Sequence, residues 1–361
     1  MSDAWDLFVD RTSLEALTLE PASAPRPGDG QAVLKVDRVG VTANNVTYAL
    51  MGEAMNYWSF FPAPEGKGRV PLWGFATVEA SRTEDLEEGE RFYGYLPTSS
   101  HLLVEPTSVT ESGFADASAH RQRLPKPYNL YQRTATDPAY APEDEDLQIL
   151  YRPLFITSFL LDDFFDDNQE FGADTAVYGS ASSKTAYGTA FCAGRRGSKT
   201  KRIGLTSARN LEFTRSLGCY DQTLTYDQIE QLDRSIPTVY LDMAGDLQVR
   251  RDIHEHLGDA LKHDAVVGAT HLAGPPAPDA GEVPGVRPRF FFAPDQIAKR
   301  REDWGPRGVE ERFGAAWRDF VPVVKGWVEV LESSGPEGLR AAWLEVLSGR
   351  SDPRQGNVIG L

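Results

Sequence analysis

VYGSASSKTAYG, residues 177–188, is the stretch whose reading decides the fold. An apolar run leads into it and a small-residue helical pattern leaves it, where a nucleotide-binding glycine loop stands in a parallel α/β unit. Where such a loop would space its glycines, this stretch has Gly179, Ser182 and Thr185. The first glycine is kept, and the other two are replaced by small hydroxyl residues. Such residues still let backbone N–H groups at a helix N-terminus face an anion, and their hydroxyls can donate as well. Gly179, Ser180, Ala181, Ser182, Ser183, Lys184 and Thr185 are therefore the candidate pyrophosphate contacts, with Lys184 as a local cation. A P-loop is excluded by register, because Lys184 would need glycines at 178 and 183, which are Tyr178 and Ser183. A plain strand–helix turn rich in N-capping serines stays open as the alternative.

Outward from this turn, strands alternate with helices. TAVYGS (175–180), KRIGLTS (201–207), TVYLDMAG (238–245) and HDAVVGATH (263–271) read as strands. RNLEFTRSLG and DLQVRRDIHEHLGDALK read as helices between them, with a short β segment QTLTY and an amphipathic stretch ending near Ser235. That grammar predicts a doubly wound parallel sheet. Before it lies an apolar helix over 147–165, and before that a β-rich portion. QAVLKVDRVGV (31–41) alternates apolar and polar, and RVPLWGFATVEA, ERFYGYLP and HLLVEP follow between Gly- and Pro-rich turns. Residues 132–146 read as a linker or excursion, and RFFFAP (289–294) as a further strand. Phe313, Trp317, Phe320, Val324, Trp327 and Leu331 recur at helical spacing with Pro322 between them, and NVIGL closes the chain as a strand.

Composition narrows the partners. The chain has 361 residues and a formal net charge of −16, which argues against a nucleic-acid surface or an anionic membrane. An anionic ligand must be met by local donors. The two cysteines, Cys192 and Cys219, rule out a disulfide framework or a Cys-rich zinc lobe. The run 147–165 is broken by Arg152, Pro153, Asp162 and Asp163, so it does not span a membrane, and the opening MSDAWDLFVDR has no leader pattern. A cytoplasmic protein acting on a small-molecule substrate is the expectation.

The order of parts resembles the medium-chain dehydrogenase/reductase superfamily, nearest its zinc-free, quinone-oxidoreductase-like members. PGDGQAVLKVDRVGVTANNVTYALMGE (27–53) is similar to the family's opening, and VPLWGFATVEA…LEEGERFYGYL to its next stretch. ARNLEFTRSLGCYDQTLTYD (208–227), TVYLDMAGD and VVGATH are similar to the segments of its nucleotide-binding sheet. The resemblance implies a Rossmann-type sheet plus a GroES-like, partly open β-barrel domain. It implies the division 1–146 (catalytic), 147–275 (dinucleotide-binding) and 276–361 (a return segment completing the catalytic domain), and a homodimer. Zinc-dependent relatives carry a Cys and a Gly-His-Glu motif where this chain reads VTANNVTY and WGFA, so there is no basis for a metal.

The resemblance also assigns roles. NAD sites end the second strand with an acid, whereas here residues 206–210 are Thr-Ser-Ala-Arg-Asn, with no acid before Glu212. Thr206, Ser207 and Arg209 are thus expected to hold a 2′-phosphate, and the cofactor to be NADPH (NADP). Thr157 is expected near the nicotinamide carboxamide, Gly245, Gly268 and Ala269 at the ends of the fourth and fifth strands, and Phe292 in a facing wall. Zinc-free relatives pass hydride to the β-carbon of an enone, so donors to the developing enolate oxygen matter most. Tyr48 and Tyr57 are the candidate donors and Asn45 a positioner; packing of the inter-domain core is the alternative for each. The expected function is NADPH-dependent reduction of enones, enals or quinones. Two alternatives are a nucleotide-binding sensor without turnover and an enoyl reductase acting on acyl thioesters.

Overall fold

The computed structural model of the chain describes residues 4–268, 283–305 and 307–361. Contacts divide the chain into two compact units: Met1–Leu150 with Val328–Leu361, and Tyr151–Trp327.

In the first unit the chain runs through β1 (Trp5–Asp10), β2 (Ser13–Pro21) and β3 (Ala32–Val41), then α1 (Ala43–Leu50). It continues through β4 (Lys67–Gly68), β5 (Leu72–Ser81), β6 (Arg91–Leu96), β7 (His101–Val104), β8 (Pro106–Thr110), β9 (Gly113–Asp116) and β10 (Leu130–Arg133). The alternating pattern of residues 31–41 does form a strand, and it is the hub of the unit: β3 pairs with β5 and with β7, both antiparallel. Its inward side chains Ala32, Leu34, Val36, Val39 and Val41 enter a core shared with Leu72, Ala76, Phe92 and Val104. That burial is the main source of stability in such a sheet. The stretch 132–146, expected as a linker or excursion, holds the end of β10 and two short 3₁₀ turns.

The second unit carries α2 (Glu145–Asp167), whose first residues belong to the other unit, then β11 (Thr175–Tyr178), α3 (Lys184–Arg196), β12 (Lys201–Thr206) and α4 (Leu211–Ser216). It goes on with β13 (Gln222–Thr225), β14 (Thr238–Asp242), α5 (Leu247–Leu257), β15 (Leu261–Val266), β16 (Arg289–Phe290), α6 (Ala293–Trp304) and α7 (Gly308–Val324). Among the described residues the strands form one sheet in the order β13-β12-β11-β14-β15-β16, and every neighbouring pair is parallel. The doubly wound sheet is therefore present. The amphipathic stretch after β13 forms a 3₁₀ turn, Tyr226–Gln231.

The sequence reading places the return to the first domain at residue 276, whereas the second unit extends to Trp327. The reason is aromatic packing. Phe313, Trp317 and Phe320 on α7 close around Phe155 of α2, the Phe155–Phe320 rings stacking at 4.2 Å between centroids. The helical stripe also ends sooner than its spacing suggests, because α7 stops at Val324. Leu331 instead lies on β17 (Glu329–Ser334), which precedes α8 (Gly335–Leu347) and the closing strand β18 (Gln355–Gly360). β17 and β18 join the first unit's sheet beside β3. No helix among the described residues is long and apolar enough to cross a membrane.

Candidate functional site

The 177–188 turn leaves the carboxyl end of β11 and enters α3. Its path is fixed by the sheet: Gly179 N–H donates to Leu241 O (2.9 Å) and Ala181 N–H to Leu205 O (3.0 Å), one on each neighbouring strand. Ser180 adopts φ +49°, a left-handed conformation that costs a non-glycine residue about 1–3 kcal/mol and is often found at functional sites.

Each serine of the turn has a defined partner. Ser183 is the N-cap of α3, its Oγ accepting from Ala186 N–H at 3.3 Å. Ser182 Oγ accepts from Asn210 Nδ2 (3.0 Å), and Ser180 Oγ lies 3.3 Å from the Tyr226 hydroxyl. Because Ser182 and Ser183 accept from the protein, their own O–H groups remain to donate to an anion. The first-turn N–H groups of Lys184 and Thr185 have no i−4 carbonyl within the helix and point the same way. Lys184 Nζ lies over the Tyr151 ring, 5.4 Å from its centroid. This donor set fits a pyrophosphate.

The two missing glycines are made good elsewhere. A Cβ on Gly204 of β12 would sit 3.0 Å from the Ala181 Cβ, so it is Gly204 that lets the turn press against the sheet. A Cβ on Gly188 would lie 2.6 Å from Ser158 Oγ, so Gly188, one turn into α3, permits its close approach to α2. Ser158 uses that proximity, donating to Thr185 O at 2.9 Å. Neither Ser158 nor Tyr226 belongs to a motif in the sequence. A tyrosine directly after the QTLT strand was the available signal for Tyr226; Ser158 had none, because its role depends on helix–helix register.

The other expected cofactor residues divide. Thr206 is buried at the carboxyl end of β12, Ser207 opens the 3₁₀ turn Ala208–Asn210, and Arg209 within that turn is exposed. Gly245 closes a turn whose N–H groups at Ala244 and Gly245 donate to Asp242 Oδ1 (3.0 and 2.8 Å), while Asp242 Oδ2 pairs with Arg250. Burial pushes the Asp242 carboxyl up and Arg250 pulls it back. Gly268 packs so tightly that a Cβ would be 1.9 Å from Met243 O. Thr157 turns its hydroxyl onto its own helix, toward Pro153 O (3.4 Å). Phe292 caps α6 and stacks on Phe290 beside the edge strand β16. Ala269 lies outside the described residues.

In the first unit, α1 and the 3₁₀ turn Tyr57–Phe60 bring Tyr48 and Tyr57 together, with ring centroids 4.7 Å apart. Asn45 is not with them. Its Oδ1 accepts from Thr42 N–H (2.7 Å) and its Nδ2 donates to Pro71 O (2.8 Å), so its amide holds the start of α1. Tyr48 Oη accepts from Asn44 Nδ2 (2.7 Å) and Trp73 Nε1 (3.1 Å). Tyr57 Oη lies 3.3 Å from Tyr128 Oη. Burial raises the pKa of Tyr48 and of Tyr57, which keeps both phenols protonated and able to donate. Among the described residues, no group of three or more His, Cys, Asp or Glu side chains could hold a metal ion.

With this geometry in view, the chain can be placed among known proteins. The model of the family described as "Protein of unknown function (DUF2855)" matches residues 39–352. No curated protein matches the chain. Among solved structures, it is similar to CurA from Vibrio vulnificus in complex with NADPH, at 14% identity and a TM-score of 0.65, covering 99% of this chain and 98% of that one. It is also similar to mycobacterial Rv1454c complexed with NADPH (14%, TM-score 0.58, 99% and 100%). The quinone oxidoreductase from Coxiella burnetii gives 12%, a TM-score of 0.56, and coverage of 99% and 98%. These likenesses are of fold: a Rossmann-type unit and a GroES-like β-rich unit, as the family resemblance implied. The chain belongs to the DUF2855 family.

Proposed function

We propose that this DUF2855 member is an NADPH-dependent, zinc-free reductase of small or medium-sized apolar activated carbonyl compounds: enones, enals or quinones. The observation that carries the reading is the 177–188 turn, with its uncommitted serine hydroxyl protons and helix N-terminus at the carboxyl ends of β11 and β12. Two solved proteins of the same fold, CurA and Rv1454c, are complexed with NADPH, and a third is named a quinone oxidoreductase, which supports the assignment.

The reading gives the residues these roles. Gly179, Ser180, Ser182, Ser183, Lys184 and the first turn of α3 take the pyrophosphate. Thr206, Ser207 and the exposed Arg209 take the 2′-phosphate, with Tyr226 beside Ser180. Gly245 and Gly268 let backbone approach the cofactor closely. Bound NADPH would supply hydride to the β-carbon of the conjugated carbonyl compound. Tyr48 and Tyr57, held protonated by burial, donate to the oxygen on which negative charge develops. The exposed Phe290 on the edge strand β16 supports pairing of two copies.

The test is NADPH oxidation, followed spectroscopically, over a panel of enones, enals and quinones. Turnover that is lost in Tyr48→Phe supports the reading. Saturable NADPH binding without oxidation of any panel member refutes it in favour of a nucleotide-binding sensor.

A further inference from the structure

Four ionisable side chains lie buried beneath the turn that follows β14. Asp242 ends β14, Arg250 and His254 stand one helical turn apart on α5, and Asp264 lies on β15. None of the four is more than 4% exposed. Asp242 is where this set meets the backbone. Its Oδ1 takes the N–H groups of Ala244 and Gly245, and its main-chain oxygen takes those of Val267 (2.8 Å) and Gly268 (3.3 Å). Gly245 and Gly268 are thus both held by one residue.

Asp242 Oδ2 is in turn held by Arg250 Nη2. Arg250 also stands beside a second carboxylate. Its Nε lies 3.3 Å from Asp264 Oδ2, yet that nitrogen makes no hydrogen bond. The group that occupies Asp264 instead is His254. Its Nε2 lies 2.8 Å from the same Asp264 Oδ2, and its Nδ1 lies 2.9 Å from Pro284 O. A carbonyl oxygen only accepts, so Nδ1 carries a proton. The contact between Nε2 and the carboxyl needs a second proton, on whichever atom it resides, so the His254–Asp264 pair is neutral as a unit. Arg250 and Asp242 cancel likewise, and the buried set closes without net charge. With His254 gone, Asp264 would be a buried charge lacking its counterpart, and its Oδ1 has no hydrogen-bond partner to soften that. Arg250 would then be drawn toward Asp264 and away from Asp242.

We propose that His254 and Asp264 are positioning residues for the 243–245 turn: by neutralising Asp264, His254 leaves Arg250 free to hold Asp242, and through Asp242 the backbone of Ala244, Gly245 and Gly268. The inference rests on the reductase reading only in taking that turn as part of the NADPH site.

Charge rescue tests it. His254→Phe keeps a ring and removes both ring nitrogens; adding Asp264→Asn removes the charge that competes for Arg250. The unaltered chain, His254→Phe and the double variant are compared by amide hydrogen exchange at Ala244 and Gly245, read by NMR without cofactor. The dissociation constant for NADPH is then measured by nicotinamide fluorescence. His254→Phe should speed exchange at both amides and weaken NADPH about three- to tenfold, and the double variant should recover most of both losses. If His254→Phe does not fold, His254→Gln, alone and with Asp264→Asn, is held to the same comparison. A double variant no better than the single one would mean lost packing rather than competition for Arg250, and overturns the proposal, as does unchanged exchange in the single variant. Faster exchange with unchanged NADPH affinity overturns the positioning role and leaves the reductase reading intact. NADPH binding by none of the proteins sinks that reading, while recovered exchange in the double variant would still support the network.

Discussion

In the turn at 177–188 the hydroxyls belong to neighbouring residues: Ser183 caps its own helix at Ala186, while Ser180 meets Tyr226 and Ser182 meets Asn210. Around Tyr95 the hydroxyls come from α1, two 3₁₀ turns and β6, segments far apart in the chain. The turn is polar, strained at Ser180 and built of small residues that expose backbone. The tyrosine cluster is made of large rings that bury theirs. Local chemistry of the first kind is written in consecutive letters and recognises charge. Chemistry of the second kind exists only after the sheet has set its register.

The largest expected contrast is in alkali. Burial raises the pKa of Tyr48 and Tyr95, whose ordinary value is 10.0. Above pH 10 the unfolded chain loses these protons while the folded chain keeps them, so the unfolded state binds fewer protons and stability falls as pH rises. Each such phenol should remove about 1.4 kcal/mol per pH unit beyond its unfolded value. Phenolate absorbance from them should therefore appear together with unfolding, and earlier appearance would show that the cluster is open to solvent. No comparable alkaline transition belongs to the serine turn.

Next in size is Gly188→Ala. Its Cβ would meet Ser158 Oγ at 2.6 Å, and overpacking of that kind costs about 1–3 kcal/mol. The urea midpoint should fall and NADPH should bind more weakly, because α3 carries the turn. An unchanged affinity would separate the turn from the helix packing beneath it. Smallest is Ser182→Ala, which removes the Asn210 hydrogen bond and should cost about 1 kcal/mol of stability with a few-fold loss of NADPH affinity. A loss confined to stability would show that the hydroxyl serves only Asn210.

The parallel sheet was legible because its signals are local: apolar strands, small-residue turns and helices repeating at one spacing. The turn was legible for the same reason, although its missing glycines were found at Gly188 and Gly204, where only three-dimensional packing could place them. Asn45 was visible as a residue, but its work in holding α1 depends on Pro71 O arriving from another segment. β2 is not legible in the sequence because Ser13–Pro21 lacks a clean buried–exposed alternation. Tyr95 and Tyr128 looked like ordinary strand and loop aromatics. Nothing within their own segments shows that β6 and the loop before β10 set their rings 4.9 Å apart.

The central claim is that the turn binds NADPH and that Arg209 reads its 2′-phosphate. Titrating NADPH and NADH separately against the protein and against Arg209→Ala, by nicotinamide fluorescence, tests it most directly. Saturable binding of NADPH in preference to NADH is expected, with the preference lost in Arg209→Ala through a roughly tenfold or greater weakening of NADPH alone, the worth of a charge-assisted hydrogen bond. An equal effect of the substitution on both nucleotides would contradict the role of Arg209, and no saturable binding of either would contradict the account as a whole.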